Sequence, residues 1–281
     1  MTSEPKKNIL QDWRESAPFW SKHADTIRSM FAPITGALVE AARIADGNSV
    51  LDVAGGSGEP SITITGLVGA SGSVLYTDAV AEMTFTARRR ALLSKISNIH
   101  FCQCLAGSLP FSNNTFDAAT CRLGVMLFDD PAGAIQEMVR VAKPGACVSF
   151  AVWSRREANP FFHVVADIVS RYIESGPDDP DAPGAFRFAE RGKLAQLLRE
   201  AGATNVTGMC LEFELEAPLT PRQFWSMRVE LSDTLRSKVA TLSEGQLAGI
   251  ARDVEQAGHA FYGSGKMSFP AEVLIVTGKK P

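Results

Sequence analysis

Val50-Leu51-Asp52-Val53-Ala54-Gly55-Gly56-Ser57-Gly58 is the stretch on which the fold turns. Four residues of strand character run straight into a glycine loop, and the loop opens a helix. Glycines at such a bend let a ligand come close to the backbone. A lone G-x-G is weak evidence, because many turns contain one. Here a second apolar run, Ser73–Asp78, follows the helix and ends on an acid twenty residues after Gly58. That spacing suits a carboxylate accepting hydrogen bonds from both ribose hydroxyls of a nucleoside. The plainer readings are a turn or helix cap for Asp52 and a helix N-cap for Asp78.

Outward from this unit the same alternation continues. Short runs rich in β-formers, Ser49–Ala54, Ser73–Asp78, Asn98–Cys104, Phe116–Cys121 and Ala146–Trp153, alternate with helical patterns. Before the fifth run, Asp130 caps a helix, Pro131 suits its first turn, and Ile135, Met138, Val139 and Ala142 form an apolar stripe. Lys143-Pro144-Gly145 then ends that helix. Later come a loop dense in Gly, Pro and Asp at 175–185, a helix with Leu194, Leu197, Leu198 and Ala201 on one face, and Gly202 as its C-cap. Residues 211–216 alternate like a strand near a sheet edge, whereas Glu272–Thr277 is almost wholly apolar and reads as an interior strand. The expected architecture is α/β and Rossmann-like, with seven mostly parallel strands and helices on both faces. A helical N-terminal cap, 1–45, precedes a domain over 46–281, with a helical insertion at about 219–265 before the last strand. There is no internal repeat.

Asp52 narrows the nucleoside. A carboxylate beside a pyrophosphate is repulsive by ~4 kcal/mol at ~4 Å. S-adenosylmethionine has no phosphate and carries an ammonium and a sulfonium, so an acid here favours it, directly or through water.

The totals agree with a globular chain: 281 residues, 45% hydrophobic, 21% charged, formal net charge -3. They give no reason to expect nucleic acid or an anionic membrane as main partner. Met-Thr-Ser-Glu-Pro-Lys-Lys at the N-terminus lacks a signal-peptide core, and no run is long enough to span a bilayer. Cys102, Cys104, Cys121, Cys147 and Cys210 make no C-x-x-C pair and read as reduced packing residues of a cytoplasmic protein with no metal.

Four stretches, Val50–Gly58 (VLDVAGGSG), Gly72–Met83 (GSVLYTDAVAEM), Leu109–Asp117 (LPFSNNTFD) and Met138–Gly145 (MVRVAKPG), give the sequence a likeness to class I methyltransferases. Within these it resembles the ubiquinone/menaquinone-biosynthesis C-methyltransferases and their relatives. The resemblance spans about 50–153 and implies that Ala54, Gly56 and Gly58 wrap the methionine part. It implies Asp78 on the ribose, Met83 near the adenine, and Leu105-Ala106 flanking the base. Gly55, Ala79, Cys121 and Arg122 complete the expected cofactor set with Asp52. One departure is Leu105, where such families usually carry Asp or Asn; the missing hydrogen bond is worth ~1 kcal/mol. The short N-terminal signature of the quinone-biosynthesis enzymes is not evident. A further likeness is to bacterial relatives carrying C-R-x-G-V-M-x-F, here Cys121–Phe128, and W-x-x-x-x-x-N-P, here Trp153–Pro160.

Methyl transfer is an in-line displacement, so alignment and exclusion of water matter most. Segments after the first, second, fourth and fifth strands should line the site. Arg122 either steers an anionic or phenolate acceptor or pairs with Asp129 or Asp130. His163 is a candidate base or an ordinary structural histidine. Trp13, Phe19, Trp20 and Phe31 either close over an apolar acceptor or form cap core, and Met126 and Trp153 join Trp20 and Phe31 as candidate acceptor contacts. Arg88-Arg89-Arg90 reads as a solvated helix face. The expected function is methyl transfer to a small, apolar or aromatic molecule at carbon, oxygen or nitrogen. The alternatives are a nicotinamide-dependent oxidoreductase, for which Gly56-x-Gly58-x-x-Ser61 imitates the fingerprint, and a non-catalytic binder of the cofactor. Arsenic methylation would need cysteines around the acceptor.

Overall fold

A computed structural model describes residues 9–173 and 179–281. Residues 1–8 of the expected cap and 175–178 of the expected Gly/Pro/Asp loop lie outside the described residues. Three helices come first: α1 (Ile9–Lys22), α2 (Ala24–Met30) and α3 (Ala32–Ala41). The alternating unit follows as β1 (Ser49–Val53), α4 (Ser61–Val68), β2 (Ser73–Asp78), α5 (Ala81–Leu93), β3 (Ile99–Gln103), β4 (Phe116–Arg122), α6 (Pro131–Val141) and β5 (Ala142–Trp153). Then come α7 (Pro160–Val169), α8 (Lys193–Glu200) and β6 (Thr204–Ala217). The chain closes with α9 (Pro221–Leu231), α10 (Asp233–Val239), α11 (Glu244–Gly258), β7 (Tyr262–Gly263) and β8 (Lys266–Lys279).

The strands form one sheet in the order β3-β2-β1-β4-β5-β8-β6, with the two-residue β7 paired to β8. β1 to β5 are parallel, and β8 runs antiparallel to both β5 and β6. The expected seven strands are therefore present, with β7 as a short eighth. Period-2 alternation sends neighbours to opposite faces. Val50 joins Val74, Tyr76 and Ala118 in one apolar cluster with Ile64 and Val68 of α4 and Ala87 and Ala91 of α5. Leu51 joins a larger cluster with Ile34 and Leu38 of α3 and Ile135 and Met138 of α6. Strands buried on both faces need this continuous apolar run. α3 belongs to the central core, while α1 lies further out.

Capping follows the expected chemistry: the Asp130 carboxylate accepts from Gly133 N–H, and Pro131 occupies the first turn of α6. Lys143-Pro144-Gly145 behaves differently from expectation. The helix ends at Val141, and those residues already belong to β5, which carries an irregular register against β4 between Phe116 and Ala118. Gly145 at φ +82 lets the strand bend there instead of turning. Gly202, at φ +92, stands immediately after the C-cap Ala201 of α8. The exposed glutamates of β6, Glu212, Glu214 and Glu216, face solvent at the sheet edge. Val273 to Val276 of β8 are buried inside the sheet. No helix among the described residues is long and apolar enough to cross a membrane.

Candidate active site

The carboxyl ends of β1, β2, β3 and β4 open into one cavity of about 420 Å³. It lies where the sheet order reverses, between β1 and β4, the usual ligand crevice of an open α/β sheet. Of the residues read from sequence as cofactor contacts, Ala54, Gly55, Gly56, Asp78, Ala79, Met83, Leu105, Ala106 and Arg122 line it. Trp20 and Phe31 line it from the helical cap, and so does Trp13.

The glycine bend is built against β2. A Cβ on Gly55 would stand 2.5 Å from the Tyr76 ring and 3.0 Å from Asp52 Oδ2, so only hydrogen fits. Gly58 combines φ +112 with a Cβ position 2.9 Å from Ile62 Cδ1, a backbone that L side chains avoid. Gly56 is held at both ends: its N–H donates to Asp78 Oδ2 at 2.9 Å, and its carbonyl accepts from Tyr76 Oη at 2.7 Å. Val80 N–H donates to Asp78 Oδ1, also at 2.9 Å. These bonds leave the Asp78 carboxylate further acceptor sites for a ligand. Burial pushes the Asp78 carboxyl up to about 6, against the pull of the Val80, Gly56 and Ala79 N–H groups.

Asp52 occupies a different place from the one expected. It is fully buried and does not line the cavity. Its Oδ2 accepts from Ser61 Oγ at 2.6 Å and its Oδ1 from Thr120 Oγ1 at 3.2 Å, so Gly55 and the helix start seal it behind the bend. Burial raises its pKa to about 7, opposed by Ser61, Arg122 and Thr120.

The acids that do face the cavity are Glu59, Asp78, Asp129 and Asp130, against Arg122 as its one cationic lining residue among those described. Glu59 is buried; its Oε2 accepts from Thr63 Oγ1 at 2.7 Å, and Arg28 Nε stands 3.2 Å from Oε1. Arg122 pairs with neither Asp129 nor Asp130. Its guanidinium donates to Thr35 Oγ1 at 2.9 Å and to the Glu59 carbonyl at 3.1 Å, and lies over the Phe31 ring. Burial lowers its pKa. Sequence reasoning missed Glu59, although an acid directly after the last glycine was the available signal.

Other candidates fall outside the cavity. Cys121 is buried on the opposite face of β4 from Arg122, as strand alternation requires, and burial pushes its thiol up to about 12. Gly58 shapes the bend without lining the cavity. Met126 sits in the 3-10 turn Val125–Leu127 and points into the core, leaving Leu127 and Phe128 to line the wall. Trp153 is buried, packed edge-on against Phe31 at 5.6 Å and Phe162 at 4.9 Å. The end of β5 is covered by this packing, so the segment after the fifth strand contributes no wall. His163 consequently stands away from the cavity, on α7, with Nδ1 3.3 Å from Asp167 Oδ2. The segment after β3, Cys104 to Ser108, lines it instead.

Residues 36–173 match the model of the ubiE/COQ5 methyltransferase family. A ubiquinone/menaquinone biosynthesis C-methyltransferase UbiE of Cellvibrio japonicus (strain Ueda107) is 43% identical over 108 residues, 38% of this chain and 43% of the relative. The chain thus spans under half the length of that relative. Among solved structures, YcgJ of Bacillus subtilis superposes with TM-score 0.57 at 17% identity, covering 88% of this chain and 97% of that one. Phosphoethanolamine N-methyltransferase 2 of Haemonchus contortus, bound to S-adenosylhomocysteine, gives TM-score 0.59 at 13% identity, covering 99% and 61%. The fold is therefore that of the Rossmann-like methyltransferases. Residues 36–173 thus resemble the class I S-adenosylmethionine-dependent methyltransferases of the ubiquinone/menaquinone C-methyltransferase type. Nothing in these likenesses supports the oxidoreductase alternative.

Proposed function

We propose that this protein is an S-adenosylmethionine-dependent methyltransferase acting on a small apolar or aromatic acceptor. One observation carries the reading: among the described residues, four carboxylates and a single arginine line a cavity that is otherwise mostly apolar. Such a site favours a cationic nucleoside and repels a pyrophosphate, by ~4 kcal/mol for one close pair of charges. The acid expected from sequence to make this choice, Asp52, is sealed behind the bend, and Glu59, Asp129 and Asp130 take over its electrostatic role.

The cavity also has suitable proportions. β3 to β4 is three strand spacings, ~14 Å, about the length of an extended nucleoside with an amino-acid tail. Leu105, Ala106 and Met83 would flank the base, Asp78 would accept from the ribose hydroxyls, and Gly55-Gly56 would carry the methionine part. Bound there, S-adenosylmethionine supplies a methyl group on a sulfonium, transferred by in-line displacement with S-adenosylhomocysteine as the second product. The chain's own contribution is alignment and exclusion of water. Of the cap expected over 1–45, α1 and α2 cover the cavity, whereas α3 belongs to the core of the domain 46–281. Phe31, beside Arg122, walls the acceptor end, whereas Trp13 and Trp20 pack with Val80 and Met83 on the nucleoside side. A quinol-like ring, as handled by the relatives named for ubiquinone and menaquinone biosynthesis, fits these walls. Five free cysteines support a cytoplasmic setting.

Isothermal titration with S-adenosylmethionine, S-adenosylhomocysteine and nicotinamide dinucleotides tests the cofactor. Micromolar binding of the first two is expected. Dinucleotide binding without either would sink the reading. Release of S-adenosylhomocysteine with quinol-like acceptors then separates an enzyme from a binding protein.

A further inference from the structure

We propose that the outer face of α5 docks onto an anionic lipid bilayer. The chain as a whole is acidic, with 31 acids in 281 residues, yet residues 83–116 contain no Asp or Glu. The same stretch carries Arg88, Arg89, Arg90 and Lys95. Net charge averages this segregation away, and it is the local field that a charged surface meets. Arg90 turns inward to Asp25 at 3.0 Å. Arg88, Arg89 and Lys95 are exposed and have no ion-pair partner among the described residues.

Large apolar side chains stand among these cations. Phe85, Leu92 and Leu93 are 69%, 76% and 73% exposed. Phe85, Arg88, Arg89 and Leu92 follow i, i+3, i+4, i+7 spacing and share one helix face. Leu105, 57% exposed, and Leu10 line the cavity and reach solvent at its rim. An isolated exposed leucine means nothing. Four of the eight large apolar side chains exposed among the described residues falling in one acid-free stretch do call for a cause. A protein partner would be met by a flat, contiguous apolar patch. Side chains protruding singly between arginines suit immersion among headgroups, the arrangement of an interfacial amphipathic helix. Each of the three cations strengthens attachment to an anionic surface by about fivefold. This surface is independent of the chemistry performed in the cavity.

Co-sedimentation of the full chain with vesicles is the test, using phosphatidylglycerol/phosphatidylcholine (1:1) against phosphatidylcholine alone. Binding to the anionic vesicles is expected to be about a hundredfold tighter, and to weaken with salt. Phe85→Ser with Leu92→Ser should weaken it at least about tenfold. Arg88→Glu with Arg89→Glu should do the same, and Lys95→Glu supplies a third, separate probe. All three sets lie on exposed positions, so an unchanged thermal midpoint verifies folding. No sedimentation, equal binding to both vesicle types, or binding indifferent to every substitution overturns the proposal. A solution dimer that Leu92→Ser dissolves would make a second copy the occupant and overturn it as well.

Discussion

Asp78→Asn separates ligand recognition from folding, because the structure assigns the two effects opposite signs. Burial lifts the carboxyl from 3.8 to about 6, a cost of about 3 kcal/mol for ionising it in the folded, ligand-free protein at pH 8. Asparagine removes that cost. It also offers one acceptor oxygen where the carboxylate offered two, so either Gly56 N–H or Val80 N–H loses its partner, a penalty of about 1–3 kcal/mol. The two nearly cancel. The ligand-free variant should therefore unfold within about 4 °C of the parent, or above it. Binding behaves otherwise. Two hydroxyls donating to a carboxylate are charge-assisted contacts of about 1.5–3 kcal/mol each, and the amide can replace only part of this. The dissociation constant for S-adenosylhomocysteine should rise about 30- to 150-fold, from a loss of about 2–3 kcal/mol. Differential scanning fluorimetry and titration calorimetry at pH 8 read the two quantities. An affinity within threefold of the parent would remove Asp78 from the ligand site. Weaker binding accompanied by a collapse of the unfolding midpoint would reduce its role to holding the bend.

Gly55→Ala drives a methyl group into the buried Tyr76 ring; we expect a loss of about 1–3 kcal/mol in thermal unfolding and at least tenfold weaker cofactor binding. Glu59→Gln removes one cavity acid, so affinity for the sulfonium-bearing S-adenosylmethionine should fall about three- to tenfold by calorimetry, and that for uncharged S-adenosylhomocysteine by less than twofold. Affinity should also depend on pH with a definite sign. The raised carboxyl of Asp78 is protonated below about 6, so binding strengthens as pH rises from 5 to 7 and then levels off, and Asp78→Asn flattens the profile. The same raised value means that the folded protein holds more protons than the unfolded chain between 3.8 and about 6, so this group lowers stability as pH climbs through that window. His163→Ala, on an outer ion pair with Asp167, should leave release of S-adenosylhomocysteine within about twofold, since exposed pairs contribute under about 1 kcal/mol.

The strands were legible because a sheet buried on both faces demands unbroken apolar runs, and Ser73–Asp78 coincides with β2 to the residue. The turn at Lys143-Pro144-Gly145 was misread because proline and glycine also mark a bulge, and only the register against Phe116 distinguishes the two. Lengths of β6 and β8 exceeded the runs read from sequence, since their outer halves are stabilised by pairing with each other. Within the site, residues fixed by backbone geometry, such as Gly55 and Asp78, were readable from spacing. Residues whose direction depends on tertiary packing were not. Whether Met126 or Leu127 faces the cavity is decided by one 3-10 turn, and Trp153 is shut out by the Phe31 ring. Asp52 shows the same limit: its position in the loop was correct, and its orientation was set by Ser61 and Thr120, distant partners invisible to a local pattern.

β8 has a consequence for how the chain matures on the ribosome. It is the last strand in the sequence yet sits between β5 and β6, with backbone partners on both sides. Until it emerges, β5 presents an unprotected edge and β6 has nothing to pair with, so the nascent nucleoside-binding half must wait with a sticky border. A handful of residues trimmed from that strand would split the sheet in the middle, where trimming an outer strand would merely shorten it.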